Sequence, residues 1–325
     1  MNNLTILLTG GTGSFGNKFV EMTLKKYNPK KIIIFSRDEM KQWHMAQRFT
    51  DSRVRFFLGD IRDKERLNRA VDGVDIIIHA AALKIVPTAE YNPFETVKTN
   101  IIGAMNIIDV AIEKNVQKII SLSTDKACDP INFYGATKLA SDKLFVAGNN
   151  YVGKRPTVFS IVRYGNVIGS RGSVIPYFLK LKEEKKQLTI TDKNMTRFFT
   201  SLEDAVKMVW TGLNVMKGGE IFVLKNPSIK ILDLAKAIDK KPIKDIGIRP
   251  GEKIDEVLIS KQESEYTYDC GRYYIITSSI VSKKNKMNQK TMKRVPKGFQ
   301  YSSNKNKFLN LKEINVILKN FKNDN

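Results

Sequence analysis

Thr9-Gly10-Gly11-Thr12-Gly13-Ser14-Phe15-Gly16 sets the architecture of this chain. The run follows a short apolar stretch, Leu4 to Leu8, and opens an amphipathic one. It satisfies G-x-G-x-x-G from Gly11 and G-x-x-G-x-x-G from Gly10. Glycines at this spacing permit a tight turn and let the backbone approach a pyrophosphate held at the N-terminus of the following helix. Gly10, Thr12, Gly13, Ser14, Phe15 and Gly16 are therefore the first candidates for binding a dinucleotide.

On the C-terminal side of this loop, β-branched runs at 31–35, 54–58, 74–79, 118–122 and 158–162 join the first at 4–9. Amphipathic stretches at 14–27, 38–49, 63–71, 93–114 and 132–149 separate them. This alternation predicts an α/β fold, a Rossmann-like doubly wound parallel sheet with ligands at the carboxyl ends of its strands. Past residue 165 the pattern weakens, and Gly165, Gly169, Gly172 and Pro176 mark a change of region. The reading is a dinucleotide-binding domain over 1–165 and a smaller C-terminal substrate lobe over 166–325, with a helix at 200–217 returning to the large sheet.

Composition narrows the function classes. With 325 residues, 42% hydrophobic and 27% charged, the chain reads as globular. Its apolar runs fall well short of the ~18 residues a membrane span needs. No basic leader precedes the first strand, so a cytoplasmic location and no membrane partner are expected. Cys128 and Cys270 lack metal-type spacing, and His44 and His79 are the only histidines, which disfavours a metal site or a His-based triad. The 55 Lys+Arg against 33 Asp+Glu give +22, a field that attracts polyanions. The excess is mostly Lys, thickest over 283–322, without RNP, zinc-finger or bZIP patterns, so no nucleic-acid partner is expected. A small dianionic substrate benefits from the same field.

The second strand runs into Phe35-Ser36-Arg37-Asp38-Glu39-Met40-Lys41. A guanidinium beside a hydroxyl, with Lys41 one turn on, suits a 2′-phosphate, so Ser36, Arg37 and Lys41 favour NADP over NAD. Asp38 and Glu39 could read a 2′-hydroxyl instead, or serve as anions in a helix first turn. Gly59-Asp60-Ile61 and Ala80-Ala81-Ala82 end the third and fourth strands, placing Asp60, Ile61, Ala80 and Ala82 along the cofactor's path. The fifth strand ends Ser121-Leu122-Ser123-Thr124-Asp125-Lys126, and a helix then carries Tyr134-Gly135-Ala136-Thr137-Lys138. Tyr134 and Lys138, four apart, share a helix face, where an ammonium is expected to lower the phenol pKa and make Tyr134 a usable base.

With Thr124-Asp125-Lys126-Ala127-Cys128-Asp129-Pro130 and Tyr134-Gly135-Ala136-Thr137-Lys138, the chain resembles the extended short-chain dehydrogenase/reductase family from end to end. Within that family it looks like the inverting UDP-N-acetylglucosamine (UDP-GlcNAc) 4,6-dehydratases of pseudaminic acid biosynthesis. Ser36-Arg37-Asp38-Glu39, Arg163-Tyr164-Gly165-Asn166-Val167, Gly172-Ser173-Val174 after Arg171, and Thr196-Arg197-Phe198 support the likeness. The resemblance implies bound NADP and UDP-GlcNAc as substrate. It also implies a homo-oligomer, suspected to be a hexamer. It adds Asn100 and Val167 to the cofactor's surroundings and assigns Lys84, Asn166, Arg171, Gly172, Ser173, Val174, Thr191, Arg249 and Glu252 to the substrate. Arg197 is either a further substrate contact or an ion-pair member.

The implied chemistry oxidises C4, eliminates water across C5 and C6, and returns hydride to C6. Tyr134, with Thr124 and Lys138, serves the C4 hydroxyl; Lys126, as a neutral amine, takes the C5 proton; Asp125, as a neutral acid, protonates the 6-hydroxyl. The chain departs from the family at Ile85 and Asp255, where relatives carry histidine. A UDP-sugar 4-epimerase would share Tyr134 and Lys138 but have no use for Asp125 and Lys126. A non-catalytic NADP-sensing or RNA-binding protein would need none of these side chains.

Overall fold

The computed structural model describes residues 1–170, 172–280 and 292–323. Six strands come first: β1 (Thr5–Thr9), β2 (Lys31–Ser36), β3 (Val54–Leu58), β4 (Ile76–His79), β5 (Lys118–Thr124) and β6 (Val158–Tyr164). They pair in the order β3-β2-β1-β4-β5-β6, every pair parallel. The order reverses direction beside β1, the switch point where doubly wound sheets open a ligand crevice. Register brings the strand ends level there: Thr9 lies opposite both Phe35 and His79.

All of β1 is buried because both faces of the sheet are covered. Ile6 and Leu8 pack with Phe19 and Val20 of α1 (Ser14–Lys26) and with Val206 and Val209 of the helix Leu202–Val215. Leu7 faces the other way, into Ile107 and Ala111 of the helix Gly103–Glu113 and Phe145 of the helix Phe133–Gly148. The helix read at 200–217 is thus present and packs on the large sheet.

The sheet does not stop at residue 165. Ile221–Leu224 adds parallel to β6, and Tyr273–Ile276, Thr267–Asp269 and Lys293–Arg294 follow antiparallel, making ten strands. The stretch read as one helix over 93–114 is three pieces: Pro93–Val97, a π turn over Lys98–Ile102, and Gly103–Glu113. Asn100, 2% exposed, accounts for the bulge: its Nδ2 donates to Leu83 O and Thr137 Oγ1, and its Oδ1 accepts from Leu83 N.

Chain from 166 onward also builds a separate three-stranded sheet of Ser228–Lys230, Thr196–Thr200 and Asn166–Val167. Helices Val174–Glu183, Ile231–Ile238 and Leu311–Asn323 close an apolar cluster that includes Ile175, Phe178, Phe199, Leu234 and Ile314. A further cluster, with Phe198, Leu258 and Tyr301 against Val223 and Ile276, ties this part to the large sheet. Among the described residues no helix is long and apolar enough to cross a membrane.

Candidate active site

The glycine loop is built for close approach. Gly10 has φ +62°, and a Cβ there would stand 2.8 Å from Ala81 Cα; a Cβ on Gly16 would stand 2.0 Å from Gly11 O. The two contacts draw the loop onto the end of β4 and seat α1 on the turn. Gly13 caps α1 without a side-chain bond, and no acid lies in its first turn. By contrast α2 (Glu39–Arg48) and α3 (Lys64–Ala70) are capped by Asp38 and Asp63 and carry Glu39 and Glu65. The first amides of α1, at Ser14, Phe15 and Gly16, are left for an anion. The loop therefore fits a dinucleotide pyrophosphate.

At the end of β2, Ser36 Oγ is 3.1 Å from Thr12 Oγ1, and Asp38 N donates to Ser36 Oγ at 3.3 Å. Asp38 caps α2 by accepting from Lys41 N at 2.9 Å and pairs with Lys41 Nζ, the first-turn anion role open to it from sequence. Lys41 is thus engaged by Asp38 in this state. Arg37 remains 56% exposed, 3.6 Å from Asp60. Asp60 also holds Arg62 at 2.7 Å; burial opposes its charge, but Arg62 and Arg37 keep its pKa below the usual carboxylate range. Ile61 is buried against Gly103. Both Nδ2 hydrogens of Asn100 go to protein groups, so it clamps the Leu83 backbone, just past Ala80 and Ala82, rather than offering a donor to a cofactor.

The end of β5 gathers the reactive set. Gly135 lets the helix Phe133–Gly148 sit on the turn Asp125–Ala127, because a Cβ there would lie 2.2 Å from Lys126 O. Thr124 donates to Asp125 Oδ1 at 2.8 Å and accepts from Lys126 N at 3.3 Å, and its hydroxyl works against the rise in the Tyr134 pKa. Lys126 Nζ lies 3.1 Å from Asp125 Oδ1 and 3.3 Å from Glu256 Oε1. Lys138 Nζ donates to Leu122 O at 2.9 Å, and Asp142, one turn on, opposes the burial that lowers its pKa.

Two sequence expectations are corrected here. Tyr134 is not made more acidic by Lys138: burial pushes its pKa up to about 12, and Lys126 is the nearest charge acting the other way. Nor is Lys126 a neutral amine. Burial opposes its charge, but Asp125 and Glu256 outweigh that and hold its pKa above the ordinary ammonium value. The residues anticipated as acid and base stand 3.1 Å apart, Asp125 Oδ1 to Lys126 Nζ.

Most of the substrate candidates lie in the later chain, each with its own local surroundings. Among the described residues Asn166 Oδ1 and Ser173 Oγ are buried without a hydrogen-bond partner, and Ser173 precedes the helix Val174–Glu183 without capping it. Gly172 has φ +77°. Val167 pairs with Thr200, Thr191 donates to Met195 Sδ at 3.4 Å, and Lys84 is exposed just past β4. In the turn of Arg249 and Glu252, Glu252 N donates to Arg249 O and Gly251 O accepts from Asn132 Nδ2 at 2.8 Å. Asn132 caps the helix that carries Tyr134, so this turn abuts the catalytic helix. Arg171 lies outside the described residues, as does 283–291 of the Lys-rich stretch. Among the described residues, no cluster of three or more His, Cys, Asp or Glu is placed to hold a metal ion.

Residues 6–278 match the family described as polysaccharide biosynthesis protein. The chain belongs to that family of extended short-chain dehydrogenases/reductases. It is 55% identical over 313 residues to a UDP-N-acetylglucosamine 4,6-dehydratase (inverting) of Campylobacter jejuni, covering 94% of each chain. It is 42% identical over 325 residues to a UDP-glucose 4-epimerase of Rickettsia felis, covering 97% of this chain and 95% of the relative. Among solved structures, Pen from Bacillus thuringiensis superposes with a TM-score of 0.92 at 35% identity, over 99% of this chain and 98% of that one. The fold alone is shared with DesIV, a dTDP-glucose 4,6-dehydratase of Streptomyces venezuelae with NAD bound, at TM-score 0.71 and 23% identity over 77% and 87% of the two chains.

Within this polysaccharide biosynthesis family the two departures have structural explanations. Ile85 is 58% exposed at the start of the short helix Val86–Tyr91. Asp255 accepts from Thr196 Oγ1 at 2.6 Å and from Asn304 Nδ2 at 2.7 Å, an anchoring role within the lobe. Arg197 resolves as an ion-pair member, giving its guanidinium to Thr196 O, Ile254 O and Lys253 O with Glu256 at 3.7 Å. Sequence reading missed Glu256 as a neighbour of Lys126. It also missed a buried network in which Arg163 binds Glu263 at 2.9 Å and faces Asp142 at 3.6 Å. The carboxylate in the run Gly251 to Glu256 was the available signal for the first.

Proposed function

We propose that the chain is an inverting UDP-GlcNAc 4,6-dehydratase, a hydro-lyase that makes UDP-2-acetamido-2,6-dideoxy-β-L-arabino-hex-4-ulose. The observation that carries this reading is the Asp125–Lys126 pair at the end of β5, 3.1 Å apart and beside Thr124 and Tyr134. C5/C6 elimination needs an acid for the 6-hydroxyl and a base for the C5 proton, roles this pair can fill, and 4-epimerisation needs neither. A nicotinamide cofactor held by the glycine loop and the end of β2 would supply hydride uptake from C4 and its return to C6, with a proton delivered to C5 from the opposite face to complete the inverted product.

Tyr134 takes the 4-hydroxyl proton from its ionised form, a state that burial opposes and the Lys126 ammonium favours. A proton shift from Lys126 to Asp125 across their 3.1 Å contact then yields the neutral amine and neutral acid that elimination requires. Lys126 removes the C5 proton made acidic by the C4 ketone, and Asp125 protonates the departing 6-hydroxyl. Asn166, Ser173 and the Arg249 turn hold the UDP end, with the guanidinium serving the diphosphate.

NADP is the proposed cofactor, supported by Ser36 and the free reach of Arg37 at the end of β2. A cytoplasmic homo-oligomer, a hexamer by family resemblance, is proposed with the first step of pseudaminic acid biosynthesis as its role. Tyr91, Phe94, Ile102 and Met105, at 87%, 80%, 43% and 46% exposure, supply apolar surface for self-association. Body and lobe are proposed to divide near residue 165, with later strands returning to the body.

Incubation with UDP-GlcNAc in deuterated water, followed by proton NMR, tests the reading. A 4-keto-6-deoxy sugar with deuterium at C5 and L-arabino configuration is expected. A D-xylo product would remove inversion, and a 4-epimer would replace the dehydratase reading.

A further inference from the structure

Glu256 is 2% exposed, directly before the strand Val257–Ile259, with Oε1 3.3 Å from Lys126 Nζ and 3.7 Å from Arg197 Nε. Its Oε2 is buried and makes no hydrogen bond within the protein. The backbone is held firmly: Glu256 N donates to Ser303 Oγ at 2.9 Å, and Ser303 N donates back to Glu256 O at 2.9 Å. Arg197, spent on three carbonyls of its own lobe, balances the carboxylate without leading anywhere else. A buried carboxylate with an idle oxygen is costly, and a scaffold role would be served by an apolar residue at that position.

The groups facing Lys126 are Asp125 and Tyr134 of its own neighbourhood and Glu256 and Arg197 of the lobe. Two carboxylates thus serve one ammonium, although elimination uses only one of them as an acid. Once Asp125 carries the proton destined for the 6-hydroxyl, it no longer offers Lys126 a negative charge. Glu256 still does.

We propose that Glu256 is the counter-ion that makes Lys126 basic enough to take the C5 proton, acting through Lys126 as a positioning residue. This rests on the dehydratase reading. In the elimination the C5–H bond breaks and its proton goes to the Lys126 amine. Its electron pair forms the C5–C6 double bond, the C6–O bond breaks, and the leaving oxygen takes the Asp125 proton to depart as water. Glu256 keeps its charge throughout and pairs with the ammonium as it forms.

The test uses the full-length protein with its nicotinamide cofactor and UDP-GlcNAc in excess, comparing wild type, Glu256→Gln and Glu256→Asp. Product is followed by NMR and reduced cofactor by its absorbance at ~340 nm, the band in which hydride uptake from C4 is read. In Glu256→Gln, turnover is expected to fall about 100-fold with KM changed less than about threefold, the scale of a weakened general base. Reduced cofactor should accumulate because C4 oxidation proceeds while C5 deprotonation stalls. Glu256→Asp, which keeps the charge, should recover part of the rate; should Glu256→Gln fail to fold, this variant is expected to show the same split on a smaller scale.

Wild-type turnover in Glu256→Gln, or equal loss of oxidation and elimination in the folded variants without reduced cofactor building up, would overturn the inference alone. Wild-type protein that leaves UDP-GlcNAc unchanged would overturn the dehydratase reading and this inference with it.

Discussion

Lys126, partly buried, and His79, fully buried, both lie near the strand ends, yet their surroundings treat a proton in opposite ways. Lys126 has carboxylates beside it and stays charged; Lys126→Ala is expected to abolish dehydration, at least about 1000-fold in turnover, while bound cofactor survives. The cofactor content of the purified variant checks the second half. His79, 2% exposed, meets Thr9 Oγ1 at 2.9 Å, and burial with the Lys138 charge lowers its pKa from 6.5 to about 3. The folded protein therefore refuses a proton that the unfolded chain accepts. The neutral-His contribution is complete above pH 6.5 and is lost as pH falls towards about 3. The expected slope is about 1.4 kcal/mol per pH unit. Urea midpoints at neutral and mildly acidic pH measure it, and His79→Gln should flatten the difference.

Between elements, the decisive contacts are ones where a single methyl group has no room. A Cβ on Gly135 would lie 2.2 Å from Lys126 O, so Gly135→Ala should push the catalytic helix off the Asp125–Lys126 turn. Activity is expected to fall about 100-fold, since a shift near 1 Å costs that much. Gly16→Ala, with its 2.0 Å approach to Gly11 O, should instead release the cofactor, read as loss of nicotinamide from the purified protein. Those two glycines were legible in sequence because they sit in motifs with fixed spacing. So were β1 to β6, read from their β-branched runs, with β1, β2 and β4 almost wholly apolar because both faces of the sheet are covered there. The π turn at Asn100 was not, because its cause is a bond to Leu83 on another segment. The raised pKa values of Tyr134 and Lys126 were hidden because both depend on the folded surroundings: burial first for Tyr134, and for Lys126 the carboxylates of Asp125 and Glu256 outweighing burial, and spacing within one helix says nothing of Glu256. The short late strands, two to four residues each at Ile221–Leu224, Thr267–Asp269, Tyr273–Ile276 and Lys293–Arg294, carry too little periodicity to read.

For the molecule as a whole, the net charge of +22 acts on any dianionic ligand before contact is made. KM for UDP-GlcNAc is expected to rise about three- to tenfold between 50 and 500 mM NaCl, with turnover little changed, because salt screens approach more than buried chemistry. Initial rates across a salt series check this. The large sheet also spans most of the chain, and one of its internal bonds sets an order of events at the ribosome. Arg163, 1% exposed at the end of β6, finds Glu263 only 100 residues later. At about 5–20 residues per second, roughly 5–20 s of translation separate the two. During that interval the guanidinium has no carboxylate from the later chain, and Asp142, 3.6 Å away in the folded protein, is the partner already made. A nascent chain halted before Glu263 therefore carries the complete glycine loop and every proposed proton-transfer group, yet lacks the bond that ties β6 to the later chain.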